Sequence, residues 1–134
     1  MQFQSKKDKI LIIDFGSQVT KLIARRVREL GVYSEITTPK ELKYLRKFKD
    51  IKGIILSGGP STVTTNKFQT ISKDIFKKKI PILGICYGLQ LIVKIFGGKV
   101  KSSKKRREFG RASLSKKTPS LIIKNFLNKE KIVW

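Results

Sequence analysis

The 134 residues include 31 Lys+Arg against 9 Asp+Glu, a formal net charge of +22, and 40% apolar residues, enough for the modest core of one domain and too many for a disordered chain. The apolar runs are too short to cross a membrane, none follows the charged N-terminus as in a secretory signal, and a single cysteine forms no internal disulfide, so a cytoplasmic protein is expected. There is no histidine, so no Ser-His-Asp or Cys-His set can be completed within these residues, and zinc sites built on histidine or several thiolates are excluded.

Residues 1–8 read as a polar lead-in. Lys9 to Asp14 is an apolar run without alternation, the pattern of a parallel strand covered on both faces. Gly16-Ser17 stops it and offers an N-cap to a helix with Val19, Leu22, Ile23, Val27 and Leu30 on one side, closed at Gly31. Val32 to Ile36 predicts a second strand. Pro39 to Phe48 predicts a short helix, with Leu42, Leu45 and Phe48 three apart, and Lys52 to Ser57 a third strand that runs into Gly58-Gly59-Pro60. Phe68, Ile71 and Ile75 predict a helical face, Pro81 to Ile85 a fourth strand, and Tyr87 to Phe96 an apolar, largely buried helix ended by Gly97-Gly98. Beyond it, Lys99-Val100 and Phe109 to Ser115 read as exposed or hairpin-like strands and Pro119 to Leu127 as a helix. Ile132-Val133-Trp134 starts a further strand, and a chain ending on three large apolar residues reads as a domain cut through its core. Strand and helix in alternation predict a doubly wound α/β fold with a mostly parallel sheet.

Gly84-Ile85-Cys86-Tyr87-Gly88 is the strongest chemical feature. A nucleophile on a sharp strand-to-helix turn needs small neighbours two positions before and after it, and the helix N–H groups that follow favour a thiolate and an oxyanion. Glycines also commonly punctuate such junctions around an ordinary buried thiol. Gly58-Gly59-Pro60 ends the third strand, and a parallel sheet can set it beside the end of the fourth, where exposed backbone N–H groups would suit an oxyanion. Asp14-Phe15-Gly16-Ser17-Gln18 opens the first helix as a cap or a polar site. No GxGxxG or GxxxxGK[ST] motif is present, so no ATP or dinucleotide site is expected. Arg107-Glu108-Phe109-Gly110 reads as a strand edge with a turn, and Tyr33, Tyr44 and Phe48 as core or amphipathic-face residues.

The charge is uneven: residues 1–60 carry +7 and residues 61–134 carry +15, densest at Lys101, Lys104, Lys105, Arg106 and Arg107. Twenty-four of the 31 cations are lysines, many scattered singly, without the arginine stripe or interleaved aromatics of a nucleic-acid reader. A solvated surface is expected, and specific nucleic-acid binding is not.

KILIIDFGSQVTKLIARRVRELGVYSEI, GIILSGGPSTV, PILGICYGLQLI and GGKV…REFGRA, in this order and spacing, resemble the N-terminal class I glutamine amidotransferase domain of the glutamine-hydrolysing GMP synthase type. The resemblance implies a flavodoxin-like doubly wound sheet, incomplete at its C-terminus, with residues 9–134 as part of that domain. It implies glutamine as substrate, and ammonia passed to an ATP pyrophosphatase domain that aminates XMP. That synthetase domain uses ATP and Mg and, like the dimerisation domain, has no counterpart here, so no cofactor is expected for this fragment. Residue by residue, Cys86 matches the nucleophile, Gly58 and Gly59 the oxyanion and substrate loop, Tyr87 the other oxyanion N–H, and Gln90 the position lining the glutamine pocket. The family's catalytic His and Glu follow a Met-Ser-His-Gly-Asp motif beyond the residues matching Val133-Trp134. The resemblance therefore implies a chain inactive alone and marginally stable. Its alternatives are the front half of a split amidotransferase, completed by a His-bearing partner or joined by a separately encoded synthetase, and a basic anion- or nucleic-acid-binding remnant.

Overall fold

The computed structural model describes residues 8–64, 67–102, 110–114, 118, 121–122 and 131–133, which fall into two units, Met1–Lys101 and Ser102–Trp134. In the first unit the four expected strands become β1 (Lys9–Ile13), β2 (Tyr33–Thr37), β3 (Ile51–Leu56) and β4 (Ile82–Gly84). All pair in parallel, in the order β2-β1-β3-β4. From β1 the chain steps outward to β2, then returns past β1 to β3, so strand order reverses between β1 and β3. Parallel crossovers are right-handed as a rule, so connections running in opposite directions along the sheet put α1 (Thr20–Glu29) on one face and the later connections on the other.

The inner strands β1 and β3 lack alternation because both their faces are covered, whereas the outer strands β2 and β4 are largely half-buried or exposed. Leu11 and Ile13 pack with Ile54, Leu56, Ile71, Ile75 and Leu91 in one core, while Ile12, also wholly buried, points to the opposite face. Full burial of each such side chain contributes roughly 2 kcal/mol. On the α1 side, Arg28 donates from Nε to Ser34 Oγ (3.0 Å) and from its terminal nitrogen to the Ser34 carbonyl (2.8 Å). Ser34 in turn donates to the Ala24 carbonyl at 2.9 Å, locking α1 onto β2 through a buried hydroxyl.

Several elements differ from expectation. The cap of α1 is Val19, without a side-chain bond, and Ser17 instead accepts from the Val19 N–H at 3.2 Å. The helix over Pro39–Phe48 shrinks to α2 (Pro39–Leu42). Thr38 and Glu41 form a capping box that starts it, and those hydrogen bonds hold the Glu41 carboxyl below its ordinary range. Beyond Leu42, Lys40, Lys43, Arg46 and Lys47 would stack like charges three and four apart, which disfavours continuing the helix. The face expected at Phe68, Ile71 and Ile75 is no α-helix: an irregular segment leads into a 3-10 helix, Lys73–Lys78, and Ile71 and Ile75 still reach the core. The apolar helix α3 (Tyr87–Ile95) buries Tyr87, Gly88 and Leu91 but leaves Leu89 55% exposed, and Phe96 beyond its end is 58% exposed. Its hydrophobicity thus exceeds what these residues cover. Tyr33 and Tyr44 are exposed rather than core, and Phe48 is partly buried against the core. Lys99-Val100 forms no strand.

In the second unit β5 (Ala112–Leu114) pairs antiparallel with β6 (Lys131–Val133), Ser113 opposite Ile132. Leu121 and Ile122 form an exposed turn inside the expected helix Pro119–Leu127, most of which lies outside the described residues. So do Lys104 to Phe109 and Trp134.

Candidate active site

Parallel pairing places Leu56 of β3 opposite Gly84 of β4. Both strands end there, so the residues two positions further on, Gly58 and Cys86, emerge side by side at the carboxyl edge. A Cβ on Gly58 would lie 3.7 Å from the Cβ of Cys86. The juxtaposition expected of the two glycine-flanked motifs is thus a product of register.

Cys86 itself stands at φ 50°, ψ −109°, a backbone region that L residues rarely occupy, and it is exposed and unbonded to another thiol. The turn is tight enough to exclude side chains on either flank. A Cβ at Gly84 would come within 2.7 Å of the Leu89 nitrogen and Ile92 Cδ1, and one at Gly88 within 2.2 Å of the Leu56 carbonyl oxygen. The small residues anticipated two positions before and after the cysteine are therefore required sterically by the helix and by β3. This is the geometry of a nucleophile elbow.

The glycine loop is similarly constrained. A Cβ at Gly59 would sit 2.7 Å from the Phe15 carbonyl oxygen, whereas Gly58 has room for one. Behind the loop lies Ser57, fully buried: its hydroxyl donates to the Gly58 carbonyl (3.0 Å) and accepts the Phe15 N–H (3.3 Å). Thr20, also buried, sits 3.2 Å from Ser57 Oγ and donates to Asp14 Oδ1 at 2.9 Å. This network fastens the β1–α1 loop to the glycine loop. Sequence reading missed it, because a threonine in the first turn of a helix and a serine at a strand end each look like residues that face water.

Around the elbow, the Gly88 N–H is engaged by the carbonyls of Ser57 (3.1 Å) and Ile85 (2.9 Å). Tyr87 is buried, its ring 5.1 Å from that of Phe15, and its hydroxyl donates to the Gln69 carbonyl. Burial holds this phenol above its ordinary pKa, so it remains a proton donor. Gln90, one turn into α3, accepts from the Thr62 hydroxyl at 3.2 Å, which brings the loop after Gly59 against the helix that follows Cys86. Cys86, Tyr87, Gln90, Gly58 and Gly59 therefore form one neighbourhood. Thr62, Ser57 and Thr20 join it from outside the motifs.

The family model for "Glutamine amidotransferase class-I" matches residues 11–134. A GMP synthase [glutamine-hydrolyzing] of Brachyspira hyodysenteriae is 49% identical over 132 residues, 98% of this chain and 25% of that protein. One of Staphylococcus saprophyticus is 44% identical over 138 residues, 100% of this chain and 26% of that protein. Among solved structures, a putative GMP synthase subunit from Thermoplasma acidophilum superposes with a TM-score of 0.71 at 32% identity, covering 95% of this chain and 63% of that one. The chain thus spans about a quarter of the length of the curated relatives it matches.

Proposed function

The chain belongs to the class I glutamine amidotransferase family, and from that premise we propose that it is the nucleophile-bearing part of a glutamine amidotransferase of the GMP synthase type. The observation that carries this reading is the strained, exposed Cys86 between two glycines that cannot accept a Cβ.

In this reading the Cys86 thiolate attacks the side-chain amide carbon of glutamine. The carbonyl electrons move onto oxygen, which is held by the N–H of Tyr87 and by the Gly58-Gly59 loop. Collapse of the tetrahedral species expels ammonia, which must take a proton as it leaves, and water then cleaves the thioester to glutamate. Gln90 and Thr62 line the glutamine pocket. The proton transfers need an acid–base group near neutral pKa, and the chain holds no histidine. That group comes from outside residues 1–134, in the same or a second polypeptide. Leu83 on β4, which is an outer strand among the described residues, and Leu89 and Phe96 are exposed apolar side chains available to the segment that carries it. The proposed domain is residues 9–134 completed in this way, and ammonia passes from it to a synthetase that uses ATP and Mg and aminates XMP.

A diazoketone analogue of glutamine tests the reading directly. It should alkylate the chain once, at Cys86, with glutamine protecting, while the 134 residues alone release ammonia from glutamine at background rate. Alkylation without protection by glutamine would overturn the glutamine site. Turnover at the rate of a complete enzyme would overturn the requirement for an outside proton carrier.

A further inference from the structure

The carboxyl ends of β1 and β2 open onto a cleft of about 450 Å³ that does not include the cysteine elbow. Its walls take Asp14 from the loop after β1, Thr38, Lys40 and Lys43 from the segment after β2, and Gln69 and Thr70 from the segment after β3. Loops following three strands meet here beside the reversal of strand order, the place where open α/β sheets hold small ligands. We propose that this cleft binds a small sugar phosphate, free or as part of a nucleotide, independently of the chemistry at Cys86.

The distribution of charge selects that class. Lys40 and Lys43 both line the cleft, and among the described residues neither has a carboxylate within ion-pair distance, unlike Lys9, Lys52 and Lys77. On another wall Asp14 is fixed by the Gly16 N–H (2.8 Å) and the Thr20 hydroxyl (2.9 Å), both on Oδ1. Among the described residues its second oxygen has no hydrogen-bond partner and can accept a hydroxyl. A ligand anionic throughout would be repelled by Asp14, and a cationic one by the lysines. A phosphate joined to a hydroxylated body satisfies both, and the volume exceeds what a lone phosphate fills. The walls are also set in advance: Thr38 is held by Glu41 in the capping box, and the Gln69 carbonyl by the Tyr87 hydroxyl. A preformed cleft of this kind loses little free energy to ordering when a ligand enters.

Calorimetric titration of the whole chain with ribose 5-phosphate at physiological salt, without glutamine, tests the site. Binding is expected at one site, roughly tenfold tighter than inorganic phosphate, which corresponds to one decade in Kd. Lys40→Gln/Lys43→Gln should weaken it by roughly tenfold or more, while the control pair Lys94→Gln/Lys99→Gln leaves it within about twofold. All four lysines are exposed, so both double variants should keep the parent's far-ultraviolet circular dichroism. Equal losses in the two pairs would reveal diffuse attraction to a basic protein and overturn the site. So would inorganic phosphate binding as tightly as the sugar phosphate, or no saturable binding at all. None of these readouts involves Cys86, so failure here leaves the amidotransferase reading untouched, and the reverse holds too.

Discussion

Between β1 and α1 the chain takes six residues to turn, and between β4 and α3 it takes two. The longer junction is filled with polar contacts: the Asp14 carboxylate caps Gly16 and Thr20, Thr20 leans on Ser57, and Ser57 receives the Phe15 N–H. The shorter one has no side-chain cap, a non-glycine residue at positive φ, and a thiol facing solvent. Both lie at the same edge of the same sheet. One junction uses its side chains to hold the fold together, and the other leaves its side chain free and keeps it in a costly backbone conformation. Strain with an unsatisfied reactive group is the mark of a working site, and a saturated polar network is the mark of its support.

Three substitutions sharpen or break this contrast. The largest effect is expected from Gly88→Ala, whose new methyl meets the Leu56 backbone carbonyl at 2.2 Å. Neither partner is a flexible side chain, so a loss of about 3 kcal/mol is expected, read as a fall in the urea midpoint. A loss near zero would mean that β3 and α3 are not clamped at this point. Next, Thr20→Val keeps the shape of a buried residue but removes the donor to Asp14 and the neighbour of Ser57. It should cost about 1.5 kcal/mol in the same titration; a neutral outcome would reduce the polar junction to ornament. The smallest effect has the opposite sign. Cys86→Gly relieves the positive-φ conformation, and after the extra chain entropy of glycine the protein should gain about 1 kcal/mol. Destabilisation by this change would place the strain elsewhere.

The inner strands were readable because parallel strands covered on both faces favour apolar runs, and the runs in KILII and IKGIIL supply them. The elbow was readable because close approach of backbones leaves glycine as the workable residue at Gly84 and Gly88. Other features depend on partners distant in sequence. Ile71 and Ile75 have helical spacing, yet an irregular segment followed by a 3-10 helix delivers both to the core. The exposure of Leu89 and Phe96 was invisible for a related reason: composition tells how apolar a helix is, but not what lies against it. The Asp14–Thr20–Ser57 network joins residues up to 43 positions apart in the chain, and no local pattern announces it.

One buried hydroxyl carries a directional consequence. In a trans peptide the carbonyl and the following N–H point in opposite senses. Ser57 Oγ draws the Gly58 carbonyl toward itself, so the amide hydrogen of Gly59 must face the other way, away from Ser57. The compass bearing of a backbone donor at the carboxyl edge of the sheet is thereby set by an alcohol buried behind it.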